Sequence, residues 1–226
     1  MTAKQSNSCK ARVVFDLDGT LVDSAVGICH IANAVLVQEN REPLSLDLTI
    51  SFIGNGISKF IERMSKARDL PVSDHARLFN EYNIQDAQSD FETKTYPFVV
   101  ETLQKLIDDG CSLALCTNKL TKATHTMLNQ LDLSRYFQAV VCGDTLESRK
   151  PDPNMLLNAL NALPDGANIY VGDSEVDAET AQRAHVPFLL FTEGYRKTPV
   201  EQVPHSALFS HYSDLPKLVD TVLAQR

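Results

Sequence analysis

The chain has 226 residues, of which 43% are hydrophobic and 22% charged, and its 29 acidic residues exceed its 21 Lys and Arg by a formal net charge of −8. This composition is typical of a globular protein with a substantial core, and it excludes a fibrous or largely disordered chain. The acidic balance without any run of basic residues argues against a nucleic-acid partner or an anionic membrane surface. We therefore expect neither partner.

The cysteines and the absence of long apolar segments indicate the compartment. The beginning of the chain is polar, and no later segment approaches the roughly 20 apolar residues of a membrane span. The cysteines are odd in number, widely spaced and without a C-x-x-C pair: Cys9, Cys29, Cys111, Cys116 and Cys142. Neither a disulfide framework nor a thiolate zinc site is indicated. We expect a cytoplasmic protein.

Short apolar runs alternate with stretches of helical spacing along much of the chain. The runs that predict strands are 11–16, 112–117, 139–142, 169–172 and 187–191. Helical spacing is clear in Val99, Leu103 and Leu106, and again from Leu215 to Leu223. Strands that alternate with helices predict an α/β fold, with a doubly wound, Rossmann-like parallel sheet covered on both faces.

The segment of residues 23–96 interrupts this alternation. Apolar residues recur at helical spacing from Ile28 to Leu36 and from Ile57 to Met64, with no strand-like run between them. The pattern predicts a helical cap domain at 23–96, inserted after the first strand. The α/β core domain then comprises residues 1–22 and 97–226.

Polar residues follow the predicted strands. In a doubly wound sheet, ligands bind beyond the carboxyl ends of the strands. Residues 16–20 (Asp-Leu-Asp-Gly-Thr) follow the first run and 117–119 (Thr-Asn-Lys) the second, while 150–153 (Lys-Pro-Asp-Pro) come after the third. The fourth is followed by Asp173 and Asp177. We expect up to four carboxylates, one lysine and one hydroxyl in a single crevice.

Such a group of carboxylates needs a compensating cation, and its hard oxygen ligands favour Mg²⁺. Lys150, the Thr117 hydroxyl and the loop amides near Gly19 would add donors for a dianionic phosphoryl group. A carboxylate can attack phosphorus to form an acyl-phosphate that water then hydrolyses. The sequence therefore predicts Mg²⁺-dependent phosphoryl chemistry.

These segments resemble the motifs of a known family. Residues 15–24 (FDLDGTLVDS) are similar to the first motif of the haloacid dehalogenase superfamily, and 117–119, 150–153 and 171–177 are similar to its second, third and fourth motifs. The resemblance covers nearly the whole chain. It implies the same class of fold that the alternating pattern predicts.

The resemblance also implies roles for individual residues. Asp16 would be the nucleophile, and Asp18 would protonate the leaving oxygen and then activate water. Thr117 and Lys150 would hold the phosphoryl oxygens. Expelling an alkoxide requires a proton, whereas cleaving a carbon–halogen bond does not, so Asp18 favours phosphate esters over dehalogenation. A phosphatase and a phosphomutase both remain.

The implied metal site consists of the Asp16 carboxylate, the Asp18 backbone carbonyl and Asp173, with Asp177 close behind them. Asp177 alternatively complements a helix dipole one turn into the following helix. A further alternative is that Thr117 bonds only to backbone. We also expect Gly19 and Asn118 to contact the phosphate or the substrate.

The insert follows the first motif, and in this position it resembles the helical cap of the small-substrate members of this superfamily. That cap closes over the site and selects the substrate. Residues 53–56 (IGNG) and 192–195 (TEGY) resemble the phosphoglycolate phosphatase group. Asn55 and Gly56 are expected to contact substrate, unless this loop is an ordinary turn. Arg63 is either a solvated helix residue or a cation that reaches a substrate carboxylate.

Two positions depart from that group, which usually has glycine where this chain has Phe98 and His185. A left-handed backbone is expected at His185, since histidine tolerates it better than most residues.

The leading hypothesis is a Mg²⁺-dependent phosphomonoester hydrolase that acts on a small phosphorylated metabolite, with 2-phosphoglycolate the first candidate. The alternatives are a phosphatase for a phosphosugar, a nucleotide or pyrophosphate, and a phosphomutase with the same catalytic residues. A signalling domain that accepts a phosphoryl group would use an Asp, a Thr and a Lys but would need neither Asp18 nor a cap. We expect a monomer or a homodimer.

Overall fold

The computed structural model describes residues 8–88 and 93–225. The N-terminal seven residues and residues 89–92 of the predicted cap lie outside the described residues. The strands are β1 (Ser8–Phe15), β2 (Val22–Asp23), β3 (Lys94–Thr95), β4 (Ser112–Cys116), β5 (Ala139–Val141), β6 (Asp165–Gly172), β7 (Phe188–Phe191) and β8 (Ala207–Phe209). The helices are α1 (Ala25–Gln38), α2 (Leu46–Phe52), α3 (Ile57–Ala67), α4 (His75–Gln88), α5 (Val99–Asp108), α6 (Thr121–Gln130), α7 (Asn154–Asn161), α8 (Glu175–Ala184) and α9 (Leu215–Ala224).

The main sheet has the strand order β5-β4-β1-β6-β7-β8, and every adjacent pair is parallel. The predicted α/β class and doubly wound sheet are confirmed. The edge strand β8 was not predicted, because it has three residues and Leu208 at its centre is 45% exposed. β6 begins at Asp165, four residues before the predicted run, since its first half is only partly buried.

Side chains alternate between the two faces of the sheet, and each face has its own core. Val13 and Phe15 of β1 pack on one face with residues of α5 and α9. Val14 between them packs on the opposite face with residues of α7 and α8. Because both faces are covered, the buried part of β1 from Val13 to Phe15 is a continuous apolar run rather than an alternation of apolar and polar residues.

Helices α1 to α4 have a separate apolar cluster, to which Ile61, Met64 and Leu78 contribute fully buried side chains. The antiparallel strands β2 and β3 connect this unit to the sheet by pairing Val22 with Thr95 and Asp23 with Lys94. Two residues per strand are too few to produce an alternating pattern, and for this reason the connection was not predicted. Among the described residues, no helix is long and apolar enough to cross a bilayer.

Phe98 and His185 both have left-handed backbone, with φ of 66° and 54°. The expectation for His185 is confirmed, and it ends α8. Phe98 directly precedes α5, and its side chain is 57% exposed. Both departures from glycine therefore occur where a Cβ atom is unfavourable.

Replacement of Phe98 tests this backbone strain. We expect the Phe98→Gly variant to be more stable than the Phe98→Ala variant by about 1 kcal/mol, because only glycine removes the left-handed penalty. The difference in Tm, measured by thermal unfolding, should be about 2–4 °C for a chain of this length. Phe98→Ala is the matched control, since it removes the same ring but keeps Cβ. A less stable glycine variant would contradict the argument.

Candidate active site

The register of the sheet brings the polar strand ends together. Phe15, the last residue of β1, pairs with Leu115 of β4 and with Val171 of β6. The chain continues with Asp16, whose backbone N–H donates to the Val171 carbonyl at 2.9 Å. The three central strands thus end at the same level of the sheet edge, and the residues that follow them face a common space.

Three carboxylates meet at this edge. Asp16, Asp173 and Asp177 are buried, and one ligand oxygen from each lies within 4.8 Å of the other two. Asp173 is oriented by two donors: the Thr20 hydroxyl at 2.7 Å and the Tyr195 backbone N–H at 2.6 Å.

Lys150 lies among these carboxylates. Its Nζ atom is 2.7 Å from Oδ1 of Asp16 and 2.8 Å from Oδ1 of Asp177, and it also donates to the Tyr170 hydroxyl at 3.0 Å. Burial by itself lowers the pKa of Lys150, but the charges of the two aspartates outweigh it and raise the pKa above its ordinary value. Lys150 is therefore a permanently charged group inside the site.

Asp177 has all its oxygens engaged. Oδ1 accepts from Lys150 and from the Tyr170 hydroxyl at 2.7 Å, while Oδ2 accepts from the Ser174 hydroxyl at 2.6 Å and from its backbone N–H at 3.2 Å. Burial raises its pKa, but Lys150 and these donors reverse the effect and the pKa is lowered overall. Asp177 thus both caps α8, in a reciprocal capping box with Ser174, and holds Lys150.

The other two carboxyl groups differ electrostatically from Asp177. The pKa of Asp16 is raised to about 7, by burial first and then by the charge of Asp177, against the lowering effect of Lys150. The pKa of Asp173 is likewise raised, by burial first and then by Asp177 and Asp16. One lysine cannot neutralise three buried carboxylates, and their hard oxygen donors fit a divalent cation such as Mg²⁺.

Asp18 lies at the junction of the sheet and the helical unit. Its Oδ1 accepts from the Ser24 hydroxyl at 2.6 Å, and Nζ of Lys119 is 3.3 and 3.4 Å from its two oxygens. Its side chain is 15% exposed. Nothing in the sequence pointed to a role for Ser24 or for the side chain of Lys119, because only the folded chain brings them to this carboxylate.

Glycine is required directly after Asp18, the second aspartate of the first motif. Gly19 has a φ of 85°, and a Cβ atom on it would lie 2.5 Å from Oδ2 of Asp173. No side chain fits there. Thr117 is 2% exposed, and its hydroxyl accepts from the Lys119 backbone N–H at 3.2 Å, so this hydroxyl has a backbone partner and also lines the cavity described below.

The amide of Asn118 connects three segments. Its Oδ1 accepts from the Lys150 backbone N–H at 3.0 Å, and its Nδ2 donates to the Lys150 carbonyl at 3.1 Å and to the Gly54 carbonyl at 3.0 Å. Asn118 therefore fixes the loop that carries Lys150 and joins it to the loop between α2 and α3.

The loop of residues 53–56 contains the predicted substrate contacts Asn55 and Gly56. Gly56 lines the cavity, whereas Asn55 is outside its lining and accepts from Arg63 at 2.7 Å. The same guanidinium donates to the Phe52 carbonyl at 2.8 Å. Arg63 thus braces this loop, and it does not line the cavity.

A cavity of about 680 Å³, including its mouth, lies between the sheet edge and the helical unit. Its polar lining includes Asp16, Asp18, Thr117 and Lys119. The opposite wall is formed by Ile28, Ile53, Phe60, Tyr82, Asn83 and Asp86. Burial raises the pKa of Asp86, and Lys119 opposes this effect.

Comparison with known proteins identifies the family. Residues 13–191 match the family model described as haloacid dehalogenase-like hydrolase. A phosphoglycolate phosphatase from Cereibacter sphaeroides is 44% identical over 94% of this chain and 99% of its own length. One from Aquifex aeolicus is 34% identical over 94% and 98%. The chain belongs to the haloacid dehalogenase-like hydrolase family.

Solved structures agree with this assignment. A protein from Haemophilus somnus, described as a predicted phosphoglycolate phosphatase, superposes with a TM-score of 0.85 and 25% identity over 95% of this chain and 99% of that one. CbbY from Rhodobacter sphaeroides in complex with phosphate has the same fold, with a TM-score of 0.74 and 17% identity over 92% and 96% of the chains.

This haloacid dehalogenase-like hydrolase is an enzyme of the phosphoric monoester hydrolase class, and the prediction of that class is confirmed. Phosphatases of the family generally use a divalent metal, and the buried aspartate cluster is the place where these residues fit one.

The raised pKa of Asp16 predicts a pH dependence of stability without metal. Between its unfolded value of 3.8 and its folded value of about 7, the folded state holds a proton that the unfolded state releases. Stability therefore falls as the pH rises through this range, by up to about 4 kcal/mol. Urea unfolding in the presence of a chelator should show a smaller loss in Asp16→Asn than in the wild type, because only the contribution of Asp173, whose pKa is also raised, remains in the variant. Parallel curves for the two proteins would contradict the prediction.

Proposed function

We propose that the protein is a Mg²⁺-dependent phosphatase that hydrolyses 2-phosphoglycolate to glycolate and phosphate through an aspartyl-phosphate at Asp16. The observation that carries the proposal is the arrangement at the cavity floor. The buried Asp16 carboxylate is paired with Lys150 at 2.7 Å, and Asp18 lines the same cavity from the side of the helical unit. This arrangement places a nucleophile and a separate acid around one space, with the Lys150 cation held against the nucleophile.

In the first step, an Asp16 oxygen attacks phosphorus and the bond from phosphorus to the ester oxygen breaks. Asp18 gives its proton to that oxygen, and the alcohol leaves. In the second step, Asp18 takes a proton from water as the water attacks the same phosphorus and the bond from phosphorus to the Asp16 oxygen breaks. Phosphate is released and the Asp16 carboxylate is restored. Lys150 and Thr117 hold the phosphoryl oxygens throughout. The Gly19 amide, expected to contact the phosphate, instead donates to the Val22 carbonyl at 2.9 Å.

The Asp16 carboxylate, the Asp18 backbone carbonyl and Asp173 would hold Mg²⁺. When bound, the metal supplies positive charge that offsets the charge of the phosphoryl group and of the carboxylate that attacks it. Asp177 keeps its bonds to Lys150 and so maintains a lysine charge close to the phosphoryl position.

For the substrate, two observations support 2-phosphoglycolate. The curated relatives named phosphoglycolate phosphatase align over more than nine-tenths of this chain. Of the cavity-lining residues in the described part of the chain, Lys119 alone has a cationic side chain, so it would bind the carboxylate of the substrate. Its Nζ atom lies beside Asp18, where the leaving oxygen and its substituent must be.

Residues 23–96 would act as the cap over the core of residues 1–22 and 97–226. Two contacts hold it over the site: the Asn118 amide to the Gly54 carbonyl at 3.0 Å, and Nζ of Lys197 to the Ile53 carbonyl at 2.9 Å. Closure excludes bulk water from the reaction. A cytoplasmic location and a monomeric or homodimeric state stay predictions.

Substitution of the two aspartates tests the mechanism. We expect Asp16→Asn to abolish phosphate release and Asp18→Asn to lower kcat by roughly 10²- to 10⁴-fold, the usual size of an acid–base contribution. Steady-state phosphate release with Mg²⁺ is the measurement. Asp220→Asn is the matched control, since Asp220 lies on the surface in an ion pair with Lys10. Retained turnover in Asp16→Asn would refute the covalent mechanism, and an unaffected Asp18→Asn would favour a phosphoryl-accepting signalling domain.

The substrate is tested with a panel that includes phosphosugars, nucleotides and pyrophosphate beside 2-phosphoglycolate. We expect the highest kcat/KM for 2-phosphoglycolate, with phosphate released in the absence of any bisphosphate activator. No turnover of 2-phosphoglycolate would reject the substrate proposal, and a requirement for a bisphosphate would indicate a phosphomutase.

Lys119→Met tests the carboxylate contact. For 2-phosphoglycolate, kcat/KM should fall by roughly 10- to 100-fold more than for 2-hydroxyethyl phosphate, which lacks the carboxylate, as expected for a lost charge-assisted hydrogen bond. Lys122→Met removes an exposed lysine from the first turn of α6, which begins just after Lys119, and should leave the ratio of the two substrates unchanged. Equal losses with both substrates would show that Lys119 acts on Asp18 or the phosphate instead.

A further inference from the structure

Tyr195 belongs to the segment 192–195 after β7, which the catalytic steps leave without a role. The residue is 6% exposed, and its ring packs in the apolar cluster of α1 to α4 although the chain segment belongs to the core. Its backbone N–H donates to Oδ2 of Asp173 at 2.6 Å. One end of this residue therefore contacts a proposed metal ligand.

The hydroxyl at the other end of Tyr195 is bound at the entry to the cap. It accepts from the backbone N–H groups of Ser24 and Ala25 at 2.7 and 2.8 Å, and it donates to Oδ1 of Asp23 at 2.8 Å. These bonds use its donor and both acceptor sites. The side chain of Ser24 makes no bond to the amides of α1 and instead donates to Asp18. The core thus supplies the acceptor for the first amides of α1.

The backbone end of Tyr195 is tightly packed against the core. A Cβ atom on Gly194 would lie 2.2 Å from the Gly19 carbonyl oxygen and 2.4 Å from Asp173. A Cβ atom on Gly19 would lie 2.7 Å from the Tyr195 ring. Because the tyrosine side chain has only two rotatable bonds, a displacement of its hydroxyl is transmitted to its backbone and to Asp173.

We infer that Tyr195 is a positioning residue that couples the hinge at residues 23–25 to the orientation of Asp173, so that the cap must be seated for the metal site to be complete. This inference rests on the proposed function, because it concerns the same site. Tyr195 itself does not contact the reacting atoms. The partners of its hydroxyl are the hinge amides and Asp23, and the partner of its amide is Asp173.

Tyr195→Phe keeps the ring and the backbone N–H and removes only the hydroxyl. We expect its Kd for Mg²⁺, measured by calorimetry on the full chain, to rise roughly 10-fold, as is typical when a group that orients a metal ligand is altered. At saturating Mg²⁺, kcat should fall roughly 10-fold while KM changes little, since no substrate contact is lost. The matched control is Tyr136→Phe, a buried tyrosine whose hydroxyl accepts from Arg135. It should change stability alone.

Substitutions of Asp23 distinguish coupling through the Tyr195 hydroxyl from a general loosening of the residues around it. Asp23→Asn keeps an oxygen that accepts from Tyr195, whereas Asp23→Ala removes it, so the difference in Mg²⁺ affinity between these variants isolates the hydrogen bond. In the presence of Tyr195, we expect Asp23→Ala to bind Mg²⁺ more weakly than Asp23→Asn by roughly threefold, the worth of one hydrogen bond. In the Tyr195→Phe background the difference should vanish.

The inference is overturned if Tyr195→Phe lowers only Tm and leaves the Mg²⁺ affinity unchanged, or if the Asp23 difference persists without the hydroxyl. Because calorimetry of Mg²⁺ binding needs no substrate, a failure of this inference can be distinguished from a failure of the proposed function. If the wild type hydrolyses none of the phosphate esters but the Mg²⁺ affinities follow the expected pattern, the coupling stands and the function fails.

Discussion

The contact between Lys150 and two buried aspartates is the interaction on which the site depends. At 2.7 Å from Asp16 and 2.8 Å from Asp177, the ammonium group allows carboxylates to be buried where their mutual repulsion would otherwise protonate them. Asp177 is satisfied completely by Lys150, Tyr170 and Ser174. Asp16 and Asp173 are left with raised pKa values, and this imbalance makes the site suited to a cation and a phosphoryl group together.

The cap depends on the same region of the core. The Ser24 hydroxyl binds Asp18, the Tyr195 hydroxyl binds the first amides of α1, and the Asn118 amide binds the loop after α2. Each of these contacts between the core and the helical unit involves a residue that also touches Asp18, Asp173 or the loop that carries Lys150. One hydrogen-bonded network therefore joins the helical unit to the site. A movement of this unit, such as the closure of a cap over substrate, would be felt at the site through these bonds.

The four motifs could be found from the sequence because their chemistry is local in the chain. Asp16 and Asp18 follow a buried strand directly, and the strand run predicts that they emerge at the ligand-binding edge. Strand β8 and the pair β2 and β3 could not be found in this way, since strands of two or three residues show no periodicity. For Asn55, the sequence indicates a turn but not its direction, and the bond from Arg63 orients its amide oxygen toward the guanidinium, outside the cavity lining.

The sequence by itself determined the α/β class, and it predicted the helical insert and the residues proposed to carry the chemistry, because apolar periodicity and residue type are properties of neighbouring positions. Only the tertiary structure decided which partner each polar group has. Lys119 faces Asp18, Asp177 serves Lys150 and caps α8, and Tyr195 joins α1 to Asp173. Such pairings join residues up to 172 positions apart, and burial determines their strength, so they exist only once the sheet register and the cap have brought the segments together.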